Sequence, residues 1–434
     1  MDTVIRNGYV IDPGTKREGK MDILVKNGRI EKVAECISEK EAAGARVIDA
    51  SGKQVLPGFI DLHVHFRDPG LEYKETIATG SAAAAAGGFT TVCPMPNTKP
   101  VTDSKEVVEY VVAKAREAGK VRVLPVGAVT KGQKGAELSD IAGMKAAGAA
   151  ALSEDGKSVM NSAVYAEGMK VAKANGLPIF AHCEDIDLVR GGVMNAGKRA
   201  EELGLPGITN AVEDIITMRD ILLAGETKAQ LHLCHCSTKN SVEFVRFAKK
   251  QGIQVTAEVC PHHFAMCDED ITEDSSLFKM NPPLRAREDV EALIAGLLDG
   301  TMDCISTDHA PHSAEEKSGG MVGSPFGIVG SETAYALANT VLVKQYHMTP
   351  MRLAECMSKN PAAVLGLSGE LGCLTEGAMA DITIVDPEEE YEICPEEFYT
   401  KGRNTPFGGK KVTGRVYFTM CAGEVTYERE ERHV

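Results

Sequence analysis

The stretch Gly58-Phe59-Ile60-Asp61-Leu62-His63-Val64-His65-Phe66-Arg67-Asp68-Pro69-Gly70 decides how the rest of the chain is read. It opens apolar and β-prone and closes in a Pro-Gly turn. Successive side chains of a strand alternate between faces. His63 and His65, two residues apart, therefore point the same way from one rigid element. Two imidazoles on one edge are a donor pair for a metal ion. Arg67 continues that face just past the strand. A guanidinium beside a metal suits an anionic substrate, because it grips a carboxylate in a two-pronged fork. His-x-His pairs are common by themselves, so the surroundings must carry the reading.

Outward from this stretch, short β-prone runs alternate with longer helical ones, the pattern of βα units on a parallel sheet. Candidate strands lie near 58–65, 89–93, 122–128, 149–153, 178–182, 230–234, 253–259 and 302–307. Helical runs span Ile77 to Gly87, Ser104 to Gly119, Ser158 to Gly176, Ala211 to Ala224 and Ser241 to Gly252. Several end at Gly, a common helix stop. Eight such units fit a (β/α)8 TIM barrel, whose usual size is about 250 residues plus insertions. An open doubly wound sheet would carry a Gly-rich phosphate loop after its first strand. His-x-His stands there instead.

Both ends of the chain read differently. In residues 1–55, apolar residues alternate around Asn7-Gly8 and Asn27-Gly28, dipeptides that favour hairpin turns. After about residue 365 the chain turns β-rich again, at Gly369-Glu370-Leu371-Gly372, Ala380 to Val385 and Gly414 to Phe418.

The 434 residues are 25% charged and 43% hydrophobic, as in an ordinary globular protein, with a net charge of −15. That charge argues against broad contact with nucleic acid or anionic membrane. No apolar run approaches membrane-spanning length. Met1-Asp2-Thr3-Val4-Ile5-Arg6 lacks the basic and apolar regions of a signal peptide, which points to the cytoplasm. The twelve cysteines contain no Cys-x-x-Cys. They are expected to act mainly as small buried hydrophobes, with Cys93, Cys183 and Cys234 at strand ends.

Barrel function gathers at the C-terminal ends of strands. Strand one ends with His63, His65 and Arg67. Strand two ends in Pro94-Met95-Pro96-Asn97, strand four in Ser153-Glu154-Asp155-Gly156, and strands five and six in His182 and His235. Strand eight ends in Asp308, followed by His309 and His312. Their shared location makes a metal constellation of residues that singly would be ordinary polar groups.

These residues resemble the signature of the amidohydrolase superfamily, and His63 to Gly70 resembles dihydroorotase. The likeness runs on through Pro94-Met95-Pro96-Asn97-Thr98, His182-Cys183-Glu184, His232 to Ser237, Cys260-Pro261-His262-His263, Asn281-Pro282-Pro283-Leu284-Arg285 and Ser306 to His312. The chain looks like the larger bacterial class of that family.

The resemblance implies a small flanking β-sandwich built from 1–55 and 366–434, and a barrel over 56–365. It implies two zinc ions. His63, His65 and Asp308 resemble the ligands of one, and His182 and His235 those of the other. Many amidohydrolases bridge the ions with a carboxylated lysine after strand four. This sequence departs from that pattern, and Asp155 takes the bridging position, with Lys157 as its rival. Zinc lowers the pKa of bound water to about 7, and Asp308 is the expected proton shuttle. Arg67, Asn97 and His312 resemble the carboxylate grip. Asn281, the backbone of Phe326 and Gly327, and His65 complete the expected substrate contacts. The segment Gly319 to Pro325 reads as a loop over the site, mobile or simply at the surface.

His262 and His263 are expected to pack or support rather than ligate, His309 to support Asp308, and His232 to be structural. His347 and His433 are expected at the surface. The implied reaction is reversible cyclisation of N-carbamoyl-L-aspartate to L-dihydroorotate in pyrimidine synthesis. Rival readings are another cyclic amidase (hydantoinase, dihydropyrimidinase or allantoinase) and a non-catalytic scaffold for aspartate transcarbamoylase. A homodimer is the expected assembly.

Overall fold

The computed structural model describes residues 2–429; His433 lies outside them. Five strands come first: β1 (Thr3–Asp12), β2 (Arg17–Lys26), β3 (Arg29–Ala34), β4 (Arg46–Asp49) and β5 (Gln54–Pro57). β2 and β3 join at Asn27-Gly28, both at positive φ, as the dipeptide predicts. Asn7-Gly8 is not a turn. It lies inside β1, where the pairing with β2 shifts register between Ile5 and Gly8. Asn7 takes its positive φ as a β-bulge, because strand partners on both sides outweigh the local preference.

The barrel strands follow: β6 (Phe59–Val64), β7 (Phe89–Pro94), β8 (Arg122–Val123), β9 (Val126–Ala128), β10 (Ala151–Ser153) and β11 (Ile179–Ala181). A short parallel pair, β12 (Met194–Asn195) and β13 (Gly207–Ile208), decorates the next loop. β14 (Leu231–Leu233), β15 (Val255–Val259) and β16 (Cys304–Ile305) complete the ring. Each expected strand is present, and β8 and β9 are one strand interrupted at Leu124-Pro125, since proline donates no ladder bond. Neighbours pair in parallel, and the ring closes where Val64 bridges His309 and His65 N–H donates to the His309 carbonyl at 2.8 Å.

Every residue of β6 is buried, as expected of a strand covered on both faces. Ile60 and Leu62 cluster with Cys93, Val126, Ala151, Phe180, Cys234 and Cys304. Residues from strands all round a ring can meet only inside it. The helices lie outside. Thr76 caps Ile77–Ala86 through a capping box, and Gly119 ends Lys105–Ala118 in the left-handed region.

Three late strands, β17 (Ile382–Glu392), β18 (Lys411–Cys421) and β19 (Glu424–Glu428), join the first five in one mixed sheet. β17 pairs antiparallel with β5, tying the two chain ends together. Ile5, Val10, Ile23, Val55, Ile382 and Phe418 share one core, so the sheet folds over itself as a sandwich. Gly369 to Gly372 is no strand: it forms turns with a single bridge from Ser368 to Leu371. Cys93, Cys183 and Cys234 are buried free thiols.

Candidate active site

His63 is fully buried near the end of β6, and His65 follows immediately. Asp308 sits just beyond β16. Its Oδ1 lies 3.0 Å from His65 Nε2 and 3.6 Å from His63 Nε2. Asp61 sets that approach. Its carboxylate accepts from Thr307 N–H at 3.0 Å, Thr307 Oγ1 at 2.6 Å and His63 N–H at 3.2 Å, lacing the last strand to the first.

Asp155 follows β10 and faces four histidines. Its Oδ1 lies 3.2 Å from His63 Nε2, 3.4 Å from His182 Nδ1 and 3.8 Å from His235 Nε2, while Oδ2 lies 3.5 Å from His65 Nε2. His182 Nδ1 and His235 Nε2 are 2.9 Å apart. The carboxylate thus stands between the expected pairs. Lys157 is exposed and donates to the Gln133 carbonyl at 3.3 Å, away from the cluster. Arg67, His235 and Asp308 all hold positive φ just past strand ends. Such strain in non-glycine residues persists where surrounding structure enforces it, and it gathers at functional sites.

The set fits a divalent metal. His63, His65 and Asp308 bring ligand atoms within 4.8 Å of one another, and so do His63, Asp155 and His235. His63 Nε2 is buried with no aligned hydrogen-bond partner, although carboxylates stand close by. Imidazole and carboxylate donors together suit zinc. Burial opposes ionisation of Asp155 and Asp308, yet the facing histidines hold both carboxyls below their usual range. Ionised carboxylates are the form a cation needs.

Behind the cluster stand residues that orient the rings. His65 Nδ1 is 2.9 Å from Asn97 Oδ1, and His182 Nε2 is 3.1 Å from Glu184 Oε2. Glu258, fully buried at the end of β15, meets His63 Nδ1. His232 is structural, bonded to Thr256 and Glu258. His262 and His263 are buried side by side, and His263 Nε2–H donates to the Pro282 carbonyl at 2.9 Å. Cys260, His262 and His263 nevertheless form a third close donor group. His309 turns from Asp308 toward Glu75 and Thr400. His347 is exposed.

A cavity of about 150 Å³ opens on the cluster, lined in part by Arg67, Asn97, Asn281, Phe326 and Gly327. Arg67 is buried, and its Nε–H donates to the Pro311 carbonyl at 3.3 Å. His312 stands beside it, 3.3 Å from the guanidinium. Its Nε2–H donates to the Phe326 carbonyl at 2.8 Å, so Nδ1 is free to accept from Lys74 at 3.3 Å. Asn97 faces the cavity, yet its amide is already engaged, with Nδ2 donating to Asp155 at 3.1 Å. Asn281 donates to Glu184 at 2.8 Å.

Comparison with known proteins agrees. Residues 52–241 match the family model described as Dihydro-orotase-like. A curated dihydroorotase of Acetivibrio thermocellus is 48% identical over 97% of this chain and 98% of its own length. One from Ligilactobacillus salivarius is 49% identical over the whole of both chains, 100% of each.

The chain belongs to the dihydroorotase family. It is an enzyme, a hydrolase of cyclic amides, in a metal-dependent superfamily. Among solved structures, an L-hydantoinase (dihydropyrimidinase) from Arthrobacter aurescens matches with TM-score 0.87 and 26% identity, covering 100% of this chain and 97% of that one. A dihydropyrimidinase from Brevibacillus agri has TM-score 0.84 at 22% identity over 99% and 95% of the two chains, and shows the fold. No helix among the described residues is long and apolar enough to cross a membrane.

Sequence reasoning missed Asp61, Glu184 and Glu258. Glu184 follows His182 by two residues, which was a usable sign. Asp61 and Glu258 sit in apolar strands, where an isolated acid was the available signal.

Proposed function

We propose that this dihydroorotase-family chain holds two zinc ions and interconverts L-dihydroorotate and N-carbamoyl-L-aspartate for pyrimidine synthesis. The observation that carries the reading is Arg67, a buried guanidinium lining the cavity whose floor is the His/Asp cluster. A neutral cyclic amide gives such a cation nothing to pair with, whereas dihydroorotate brings a carboxylate.

His63, His65 and Asp308 would hold one ion and His182 and His235 the other, with the Asp155 carboxylate facing both sets of histidines. Bound zinc supplies Lewis acidity, which makes water nucleophilic near neutral pH. Arg67, Asn97 and His312 orient the substrate carboxylate, while Asn281 and the backbone of Phe326 and Gly327 meet the ring amides. In ring opening, water adds to the ring carbonyl carbon and its proton passes to Asp308. His63 and His65 both face Oδ1, so we assign the proton to Oδ2. Asp308 then delivers it to the ring nitrogen as the carbon–nitrogen bond breaks. Ring closure runs the same steps backwards.

Zinc-loaded protein should open L-dihydroorotate, followed as loss of ring absorbance. Arg67→Gln should raise KM for dihydroorotate by roughly 10–100-fold, the worth of a charge-assisted hydrogen bond, and leave dihydrouracil little changed. Preference for dihydrouracil or hydantoin would move the assignment to a neutral cyclic amidase. Failure to take up zinc would favour the scaffold. The reading further takes 1–55 with 366–434 as one unit beside a 56–365 barrel, and expects a cytoplasmic homodimer able to meet aspartate transcarbamoylase. Size-exclusion chromatography with and without that enzyme reads the assembly.

A further inference from the structure

Phe326 and Gly327 line the cavity, and Ser324 and Pro325 lead directly into them. All four backbone carbonyls of this segment accept from side chains. Lys279 Nζ donates to the Ser324 carbonyl at 2.6 Å. Lys317 Nζ donates to Pro325 at 3.0 Å and to Gly327 at 2.9 Å. His312 takes Phe326, and Asn404 adds a second bond to Gly327 at 3.0 Å. Lys317 also reaches the Lys279 carbonyl at 3.3 Å, which in turn accepts from Gly327 N–H at 2.9 Å. The Lys279 ammonium lies 4.4 Å from the centroid of the Phe326 ring.

Both lysines are buried, 5% and 9% exposed. Neither makes an ion pair among the described residues; the bonds they make go to carbonyls. Burying an ammonium without a counter-charge is unfavourable unless its hydrogen bonds are satisfied. Each ammonium therefore depends on the wall it binds. The wall depends on them too. Gly327 sits at φ 130°, and a Cβ there would come within 2.7 Å of Ala310 Cβ. Glycine reaches that conformation readily, so what the segment draws from the lysines is donors for its backbone carbonyls, which are costly to leave unpaired away from water.

We infer that Lys279 and Lys317 are positioning residues that hold Ser324 to Gly327 as a fixed wall, so that substrate meets preset backbone rather than a mobile lid. The inference rests on the proposed contact of Phe326 and Gly327 with substrate. It extends that reading to residues that touch no ligand.

The test uses full-length, zinc-loaded protein with Lys317→Met and, separately, Lys279→Met. Methionine fills similar space without the charge, and if one variant is insoluble the other decides. Each should raise KM for L-dihydroorotate about tenfold while kcat stays within about threefold, the signature of lost substrate binding. Zinc content should match wild type. Amide hydrogen exchange should quicken over 318–328 and not in the barrel strands. The inference is overturned if KM stays within about twofold, if kcat falls at constant KM, or if exchange is unchanged. Wild type inert toward dihydroorotate, with faster exchange in the variants, would sink the substrate assignment and leave the wall-holding role. Wild type active, with neither readout moving, would sink the wall alone.

Discussion

Glu258 Oε1 lies 3.1 Å from His63 Nδ1, and both side chains are fully buried. The same oxygen accepts from His235 N–H at 3.2 Å, and Oε2 meets His232 Nε2 at 3.0 Å. Burial works against its charge, but His232 and His63 hold the carboxyl below its usual range. One carboxylate thus orients one candidate ligand by its ring and another by its backbone. Glu258→Gln should weaken zinc binding by roughly 10–100-fold, as loss of ligand-orienting partners does elsewhere. Competition with a chromophoric chelator measures this, and wild-type affinity in the variant would contradict the role.

Asp308→Asn keeps the shape of the side chain and loses the proton acceptor. We expect kcat to fall by about 10²–10⁴-fold, the usual worth of a general acid–base group. Substantial zinc should remain, since His63 and His65 are untouched. Steady-state kinetics with elemental analysis of one preparation separates the effects. Near-normal turnover would remove Asp308 from proton transfer.

Asp155 and Lys157 can be told apart directly. Asp155→Ala should lower zinc to about one ion per chain, because Asp155 faces both histidine pairs and His63, His65 and Asp308 remain as a three-donor group without it. Lys157→Ala should change neither metal content nor rate, as its ammonium bonds to Gln133 instead. A Lys157 variant short of zinc would restore the carboxylated lysine as bridge.

The wall should loosen with rising pH. Burial, then the charge of Lys279, pull Lys317 down to about 7, with Glu316 opposing. His312 also faces this region. Burial, then Arg67, Lys74 and Lys317, pull it down to about 3, so it stays neutral across the working range. A base with a lowered pKa carries its charge only below that value. The three-carbonyl grip is therefore complete below about 7 and loses a proton and a charge above it. KM for dihydroorotate should climb between about pH 6 and about pH 9, and Lys317→Met should flatten the climb. A level wild-type profile, or a variant that keeps the climb, would remove Lys317 as its source.

The chain order of βα units was legible because strand and helix each repeat over a few residues. The donors at strand ends were legible because the barrel fixes where function gathers. Asn27-Gly28 behaved as its local chemistry predicts, whereas Asn7-Gly8 did not, since strands packed beside β1 outweighed the same dipeptide. Glu258 was marked locally only as an acid in an apolar strand, which does not say what it meets. Its partner His63 stands 195 residues away.

By itself the sequence determined which residue types stand at the end of each strand and which face they share, because backbone preference and side-chain alternation act over a few residues. The tertiary structure alone decided which of them meet. Closing the ring brought Asp155 among four histidines and put Lys157 outside. Folding the 324–327 segment against Lys279 and Lys317 created a buried set of cation–carbonyl bonds. Most of these contacts join groups tens of residues apart, and even the Lys317 bonds, which span 8 and 10 residues, cross irregular chain whose path no short-range periodicity encodes.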